Sequence, residues 1–100
     1  MAEVVWTQPA IADLESIAEY IAVENFDAAK ALVAKVFEAV GRLEKFPESG
    51  RKPPELGSSR YREVICGPCR IFYREVHKQV VILFVMRSER DLKKFLLEKG

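Results

Sequence analysis

The sequence predicts an α+β fold in the order β-α-α-β-β-β-α: a helical hairpin packed on a mainly antiparallel sheet, with a short C-terminal helix. Three observations predict it. Residues 8–24 and 28–46 carry apolar side chains at helical spacing, and only Asn25-Phe26-Asp27 interrupts the pattern between them. Residues 61–66 and 69–76 are short runs rich in β-branched and aromatic residues, parted by Gly67-Pro68, and read as a hairpin. Residues 80–86 are seven apolar residues in a row, too short for an ordinary helix and suited to a strand covered on both faces. Helices early and strands late is the α+β pattern.

Each element follows in order. Residues 3–6 form a short apolar strand. Thr7 stands at a helix N-cap, with Pro9 in the first turn, where its missing N–H costs little. Ile11, Leu14, Ile17, Ala18 and Ile21 give the first helix its buried stripe, and Asp13, Glu15, Glu19 and Glu24 an acidic face that reads as mostly solvated. Ala29, Leu32, Val33, Val36, Val40 and Leu43 give the second helix its stripe, and Glu38 and Arg42 pair one turn apart. So short a link makes the helices antiparallel neighbours that share a face for the sheet. Gly41, inside the second helix, is expected to mark close packing. Residues 47–59 are polar and rich in breakers; of the two readings, an adaptable binding loop or a spacer that carries the chain back to the sheet, the spacer is expected. Ser88 is expected to cap the last helix, with Asp91 as the acidic residue of a capping box, and Leu92, Phe95 and Leu96 as its buried side.

One hundred residues suffice for one core, and residues 1–100 read as one domain. No apolar run approaches the roughly 18–20 residues of a membrane span. The opening MAEVVW lacks the basic-then-apolar order of a signal peptide, so a cytoplasmic protein is expected. The net charge of +1 conceals a division. Residues 1–50 hold nine acidic and four basic side chains, residues 51–100 six and twelve. Either the basic half meets an anionic partner, or the halves neutralise each other across the fold.

Cys66-Gly67-Pro68-Cys69 looks like the active-site tetrapeptide of thioredoxin. That chemistry needs the first thiol at a helix N-terminus. Here the tetrapeptide is followed by a strand pattern, so it reads as a hairpin turn. A structural zinc site wants four ligands, and His77 is the one further soft ligand, so no metal is expected. A cross-turn disulfide is sterically conceivable, but a reducing cytosol favours two thiols. No Ser/His/Asp or Cys/His triad, buried carboxylate pair or glycine-rich phosphate loop is recognisable, and no cofactor is expected.

The arginines remain. Arg62, Arg70 and Arg74 lie on adjacent strands, Arg87 ends the last strand and Arg90 precedes the last helix. Hairpin geometry is expected to bring Arg62 and Arg70 close together. Alternation puts Arg70, Phe72 and Arg74 on one face and Ile71 and Tyr73 on the other. Guanidinium groups grip phosphates or carboxylates in bidentate fashion. The plain alternative is structural ion pairing with Glu63, Glu75 and Glu89, which suits Arg74. Arg70 is expected to be functional, or structural in a way that is hard to replace.

The chain resembles the RelE/ParE toxin superfamily of type II toxin–antitoxin systems over nearly its whole length. The resemblance lies in Trp6, the stretch 10–14, Ile17, Tyr20 and Ile21; Ala28-Ala29; Leu43, Phe46-Pro47 and Gly50-Arg51; Tyr61-Arg62-Glu63; Gly67, Arg70-Ile71 and Tyr73-Arg74; and Arg90-Asp91. It is the order and spacing of these pieces together that mark the superfamily, which holds two activities on one fold. RelE-like members are ribosome-dependent mRNA endonucleases; ParE-like members poison DNA gyrase. Arg70 matches a nuclease arginine, and Arg62 stands where that branch has a lysine. Val64 replaces its second basic residue, Phe95 is the nearest aromatic to its C-terminal phenol, and no histidine lies near Arg87. Proton handling for phosphodiester cleavage is therefore missing.

The resemblance thus implies a ParE-like toxin, leaning away from an enzyme, that inhibits gyrase by protein–protein binding. It also implies neutralisation by a ParD-like or RelB-like antitoxin through an acidic amphipathic segment. Arg62, Arg70, Arg87 and Arg90 are the expected target- or antitoxin-binding residues. No membrane contact is expected, nor DNA binding by the toxin alone. The alternative is a RelE-like nuclease acting on ribosome and mRNA, with Arg62, Arg70 and Arg87 as its catalytic set.

Overall fold

Thr7 joins the first strand, β1 (Glu3–Trp6), to the first helix, α1 (Gln8–Ala22). In the computed structural model, which describes residues 1–57 and 59–99, its hydroxyl accepts the Ala10 N–H at 3.3 Å and donates to the Ile82 carbonyl at 2.7 Å. One side chain thus caps the helix and pins it to the sheet. The helix stops two residues short of its apolar pattern, because Val23 and Glu24 turn out into solvent. Asn25 then caps α2 (Phe26–Gly41), its Oδ1 accepting the Ala28 N–H at 2.9 Å. With the cap at Asn25, Phe26 and Asp27 belong to the helix, which begins two residues earlier than its spacing predicts. It ends at Gly41, where the chain tightens into a 3₁₀ turn, Arg42–Glu44. A Cβ at Gly41 would meet open space, so this glycine marks the end of the helix and not a close approach. The Glu38–Arg42 pair forms at 4.0 Å on the exposed face, where it contributes little.

The sheet has four strands in the order β1-β4-β3-β2, where β2 is Arg62–Cys66, β3 Cys69–Val76 and β4 Gln79–Arg87. β1 runs parallel to β4, and the other pairings are antiparallel, so the sheet is mainly antiparallel as expected. Gly67, at φ +55°, takes the first central position of the β2–β3 turn, the type II′ pattern that glycine permits. His77 and Lys78, both at positive φ, close β3 on β4 as a type I′ turn does. The β3–β4 register steps at Phe72/Tyr73: Phe72 faces Phe84 and Tyr73 faces Ile82, leaving Leu83 as the extra residue of a bulge.

Each sheet face has its own apolar layer. Leu14 and Ile17 of α1 and Leu32, Val36 and Val40 of α2 pack on Ile71, Tyr73, Val80, Ile82 and Val85. Burying each such aliphatic side chain stabilises the fold by roughly 1.5–3 kcal/mol. The helices depend on that burial, because isolated helices of 15 and 16 residues are marginal in water. On the opposite face Phe72 and Met86 pack on Leu92 and Phe95 of α3 (Leu92–Lys99). β4 is therefore covered on both faces, as its unbroken apolar run predicts.

Two expectations fail at the connections. Residues 47–59 are no mere spacer. Arg51 and Glu63 exchange backbone hydrogen bonds of 3.0 and 2.8 Å, giving the outer edge of β2 partners for its otherwise bare polar groups. Pro53 is fully buried, and Ser58 of this stretch lies outside the described residues. At the last helix Asp91, and not Ser88, is the cap: its Oδ1 accepts the Lys94 N–H at 2.9 Å. Arg90 N–H bonds back to the Arg87 carbonyl in a preceding turn, which carries Ser88 away to the Pro68 carbonyl. No described helix is long and apolar enough to cross a membrane.

Candidate functional site

The two-residue turn sets the β2–β3 register, and the register separates the arginines. Arg62 lies opposite Tyr73, and Arg70 opposite Ile65. Tyr73 faces α1 and α2, whereas Arg70 shares its face with Phe72 beneath α3. Arg62 and Arg70 therefore point to opposite sides of the sheet and do not form the pair expected of them. Arg62 uses its Nη1 on the Gly50 carbonyl at 2.8 Å and the Glu48 carbonyl at 3.2 Å, tying the long connection down.

Arg70 is the centre of an internal ion network. Its Nε donates to Glu63 Oε1 at 2.6 Å and its Nη2 to Glu63 Oε2 at 3.0 Å. Nη1 and Nη2 reach the two Glu55 oxygens at 2.7 and 2.8 Å. Arg51 Nε adds a second cation to Glu63 Oε2 at 3.0 Å. The Arg70 and Glu63 side chains are 8% and 0% exposed, and the guanidinium lies over the Phe72 ring. Four of the five guanidinium N–H groups are thus used within the chain. The hydrogen bonds from Arg70 hold the Glu55 carboxyl down at about 2, against the opposing effect of burial. The same bonds, accepted by Glu55 and Glu63, raise the Arg70 pKa, so its charge is permanent. Such a network stiffens the sheet and the Pro53–Leu56 segment; it offers little to an outside ligand. Arg74 does not make the structural pairs expected of it: its Nε is buried without a hydrogen-bond partner among the described residues.

Arg87 and Arg90 do come together. They line an open pocket of about 170 Å³ between α1, the end of β4 and α3, with Asp13, Ser16, Tyr20 and Phe95. Arg87 lies 4.4 Å above the Tyr20 ring and Arg90 5.2 Å from the centre of the Phe95 ring. Asp13 accepts the Val85 N–H at 3.2 Å and pairs with Lys99, so it is the one carboxylate of α1 turned inward. Sequence reasoning missed Tyr20 as a partner of Arg87. The available signal was the helical spacing of Asp13, Ile17 and Tyr20, which places them on one flank of α1.

Cys66 and Cys69 face each other across the turn and sit in the helix-side core. Burial pushes the Cys69 thiol up to about 11, so it stays protonated and is a poor nucleophile. His77 is exposed in its turn. Among the described residues no three His, Cys, Asp or Glu side chains gather as a metal site. A second, apolar hollow of about 480 Å³ runs along the outside of the helical hairpin, past Ala18, Ala22, Phe26, Lys30, Val33 and Ala34.

Comparison with known proteins agrees with this architecture. The family model described as the ParE toxin of type II toxin–antitoxin systems, parDE, matches residues 4–92. A candidate toxin of Sinorhizobium fredii, Y4kP, is 36% identical over 86 residues, covering 86% of this chain and 88% of that protein. Toxin RelE2 of Caulobacter vibrioides is 37% identical over 68 residues, covering 68% of this chain and 73% of its own length. Among solved structures, a chain of the chromosomal ParDE system of P. aeruginosa superposes with a TM-score of 0.76 at 26% identity, covering 89% of this chain and 98% of that one. A chain of the RelBE2 toxin–antitoxin complex of Mycobacterium tuberculosis gives 0.59 at 26% identity, covering 87% and 98%. The isolated RelE toxin of E. coli, at 12% identity and 0.56, shares the fold over 99% and 98%. With the family model spanning nearly all of the sheet and both long helices, the chain belongs to the ParE toxin family of type II toxin–antitoxin systems.

Proposed function

We propose that this toxin acts in the cytoplasm by binding DNA gyrase, without cleaving RNA, and that a cognate antitoxin neutralises it. The observation that carries this reading is the closure of Arg70. A guanidinium that steadies a scissile phosphate must have free N–H donors aimed at it. Those of Arg70 are spent on Glu63 and Glu55, and two carboxylates beside it would repel a phosphodiester. The extent of the ParE family match supports the same branch. The hollow on the helical hairpin, apolar and edged by Glu19 and Lys30, suits the apolar face of the amphipathic segment expected of an antitoxin. In cells, controlled expression should arrest growth with induction of the DNA-damage response while transcripts stay intact, and antitoxin co-expression should relieve it. Arrest with severed transcripts and no damage response would refute it.

A second reading, ribosome-dependent mRNA cleavage, draws on one observation. The Tyr20 phenol beside Arg87 places a hydroxyl and a guanidinium in one open pocket, a pairing that could serve proton transfer to a phosphate ester.

A further inference from the structure

The ion network and the arginine pocket make no use of Cys66 and Cys69, two free thiols that the β2–β3 hairpin sets directly opposite each other. Their type of pairing follows from Glu63. Its N–H and C=O both point outward, to Arg51. Alternation along β2 then turns the N–H and C=O of Val64 and Cys66 inward, to β3. Cys66 and Cys69 are therefore a hydrogen-bonded pair, with Cα atoms about 5.5 Å apart and within disulfide range. Their Cβ atoms start near the wide end of roughly 4.5–5.5 Å, whereas a disulfide needs about 3.8 Å. Closing the bond pulls the strand ends together and strains the turn, and a strained disulfide is readily reduced again.

The two thiols differ in access. β2 is an outer strand, and the Arg51 bridge covers it at Glu63, well short of the turn. Ile65 is 50% exposed, Cys66 9% and Cys69 0%. An oxidant therefore has to be small, and it meets Cys66 first. The turn is also tied to the end of β4. Cys69 faces Arg87 on its other side, and the Pro68 carbonyl accepts the Ser88 N–H at 2.8 Å. Strain in the turn thus has a short path to Arg87 and the pocket it lines.

We infer that Cys66 and Cys69 form a peroxide-sensitive dithiol that closes to a cross-turn disulfide and shifts the Arg87–Ser88 segment. First the Cys66 thiolate sulfur attacks one peroxide oxygen. The O–O bond breaks, Cys66 becomes a sulfenic acid, and the departing hydroxide takes up the proton that Cys66 gave up. Next the Cys69 sulfur attacks the Cys66 sulfur. The S–O bond breaks, and the departing hydroxide takes the Cys69 proton and leaves as water. The two sulfurs give up two electrons between them, and the peroxide ends as two waters. Burial keeps Cys69 protonated until that step, and its enforced closeness to Cys66 offsets its weakness as a nucleophile. None of this depends on which cellular target the chain has.

The test treats the full chain with a small excess of hydrogen peroxide and reads the product by mass spectrometry and NMR. The chain should lose the mass of two hydrogens. After denaturation neither cysteine should take up iodoacetamide until dithiothreitol restores both. Amide signals of Cys69, Arg87 and Ser88 should move, while those of His77 and Lys78, at the far end of β3, stay in place. Cys69→Ala should stop at the sulfenic acid, trapped by dimedone at Cys66, and Cys66→Ala should resist peroxide. The wild-type measurements stand even where a variant fails to fold. Two thiols still open to iodoacetamide, a disulfide between two chains, or a bridge that forms in urea but not in the folded protein overturns the proposal. A bridge that leaves Arg87 and Ser88 unmoved overturns its reach to the pocket.

Discussion

The Arg70 guanidinium meets the Glu63 carboxylate at 2.6 Å on the α3 side of the sheet, both side chains nearly sealed from water. Removing one member of such a pair strands the other. Arg70→Ala is therefore expected to destabilise the protein by about 3–5 kcal/mol, read as a fall in the urea midpoint. Arg62→Ala, which loses hydrogen bonds to two backbone carbonyls near the surface, should cost about 1 kcal/mol. Equal small losses for both would show that the Arg70 network is not structural.

Acid should loosen the same network at Glu55. Its carboxyl is held at about 2 against an ordinary 4.5, so the folded state binds its proton less readily than the unfolded chain does. The stability this provides is full above pH 4.5 and is lost as pH falls through that value toward about 2. Urea titrations across this window should show stability falling in the wild type and falling less in Glu55→Gln.

Tyr73 holds the connection to the sheet. Its hydroxyl accepts the Gly50 N–H at 2.9 Å and donates to the Pro47 carbonyl at 2.8 Å, in a setting whose burial raises the phenol pKa. Tyr73→Phe should cost about 1–3 kcal/mol by leaving both groups without a partner. Gly50→Ala should cost at least as much, because a Cβ there would lie 2.5 Å from the phenol oxygen and 2.8 Å from the Glu63 carbonyl. Thermal melting of the two variants checks both.

The β3–β4 turn leaves room for improvement. His77 and Lys78 take φ of 48° and 64°, which side chains resist and Asn-Gly accepts. Replacing the pair by Asn-Gly should stabilise the protein by roughly 1 kcal/mol, seen as a higher melting temperature.

What the sequence shows of this fold depends on how far apart along the chain the interacting residues lie. Helix phase and the Thr7 cap are local and were legible in residue spacing, as was the buried β4. The face on which Arg62 and Arg70 point follows from the turn register, and needed only a correct count from Gly67-Pro68. Glu55 is different. It comes to Arg70 from a breaker-rich connection whose path no periodicity reports, and only the bare edge of β2 explains why that path hugs the sheet. Gly41 and Gly50 look alike as letters; what surrounds each is set by the tertiary packing. Tyr20 showed its flank of α1 in its spacing, but not that Arg87 waits at the end of β4.

Purified protein gives the most direct test of gripping against cutting: gyrase supercoiling and cleavage of mRNA on programmed ribosomes, assayed side by side. Supercoiling should be inhibited while the mRNA stays whole. Cleavage on the ribosome, abolished by an Arg70→Lys variant that melts like the wild type, would contradict it.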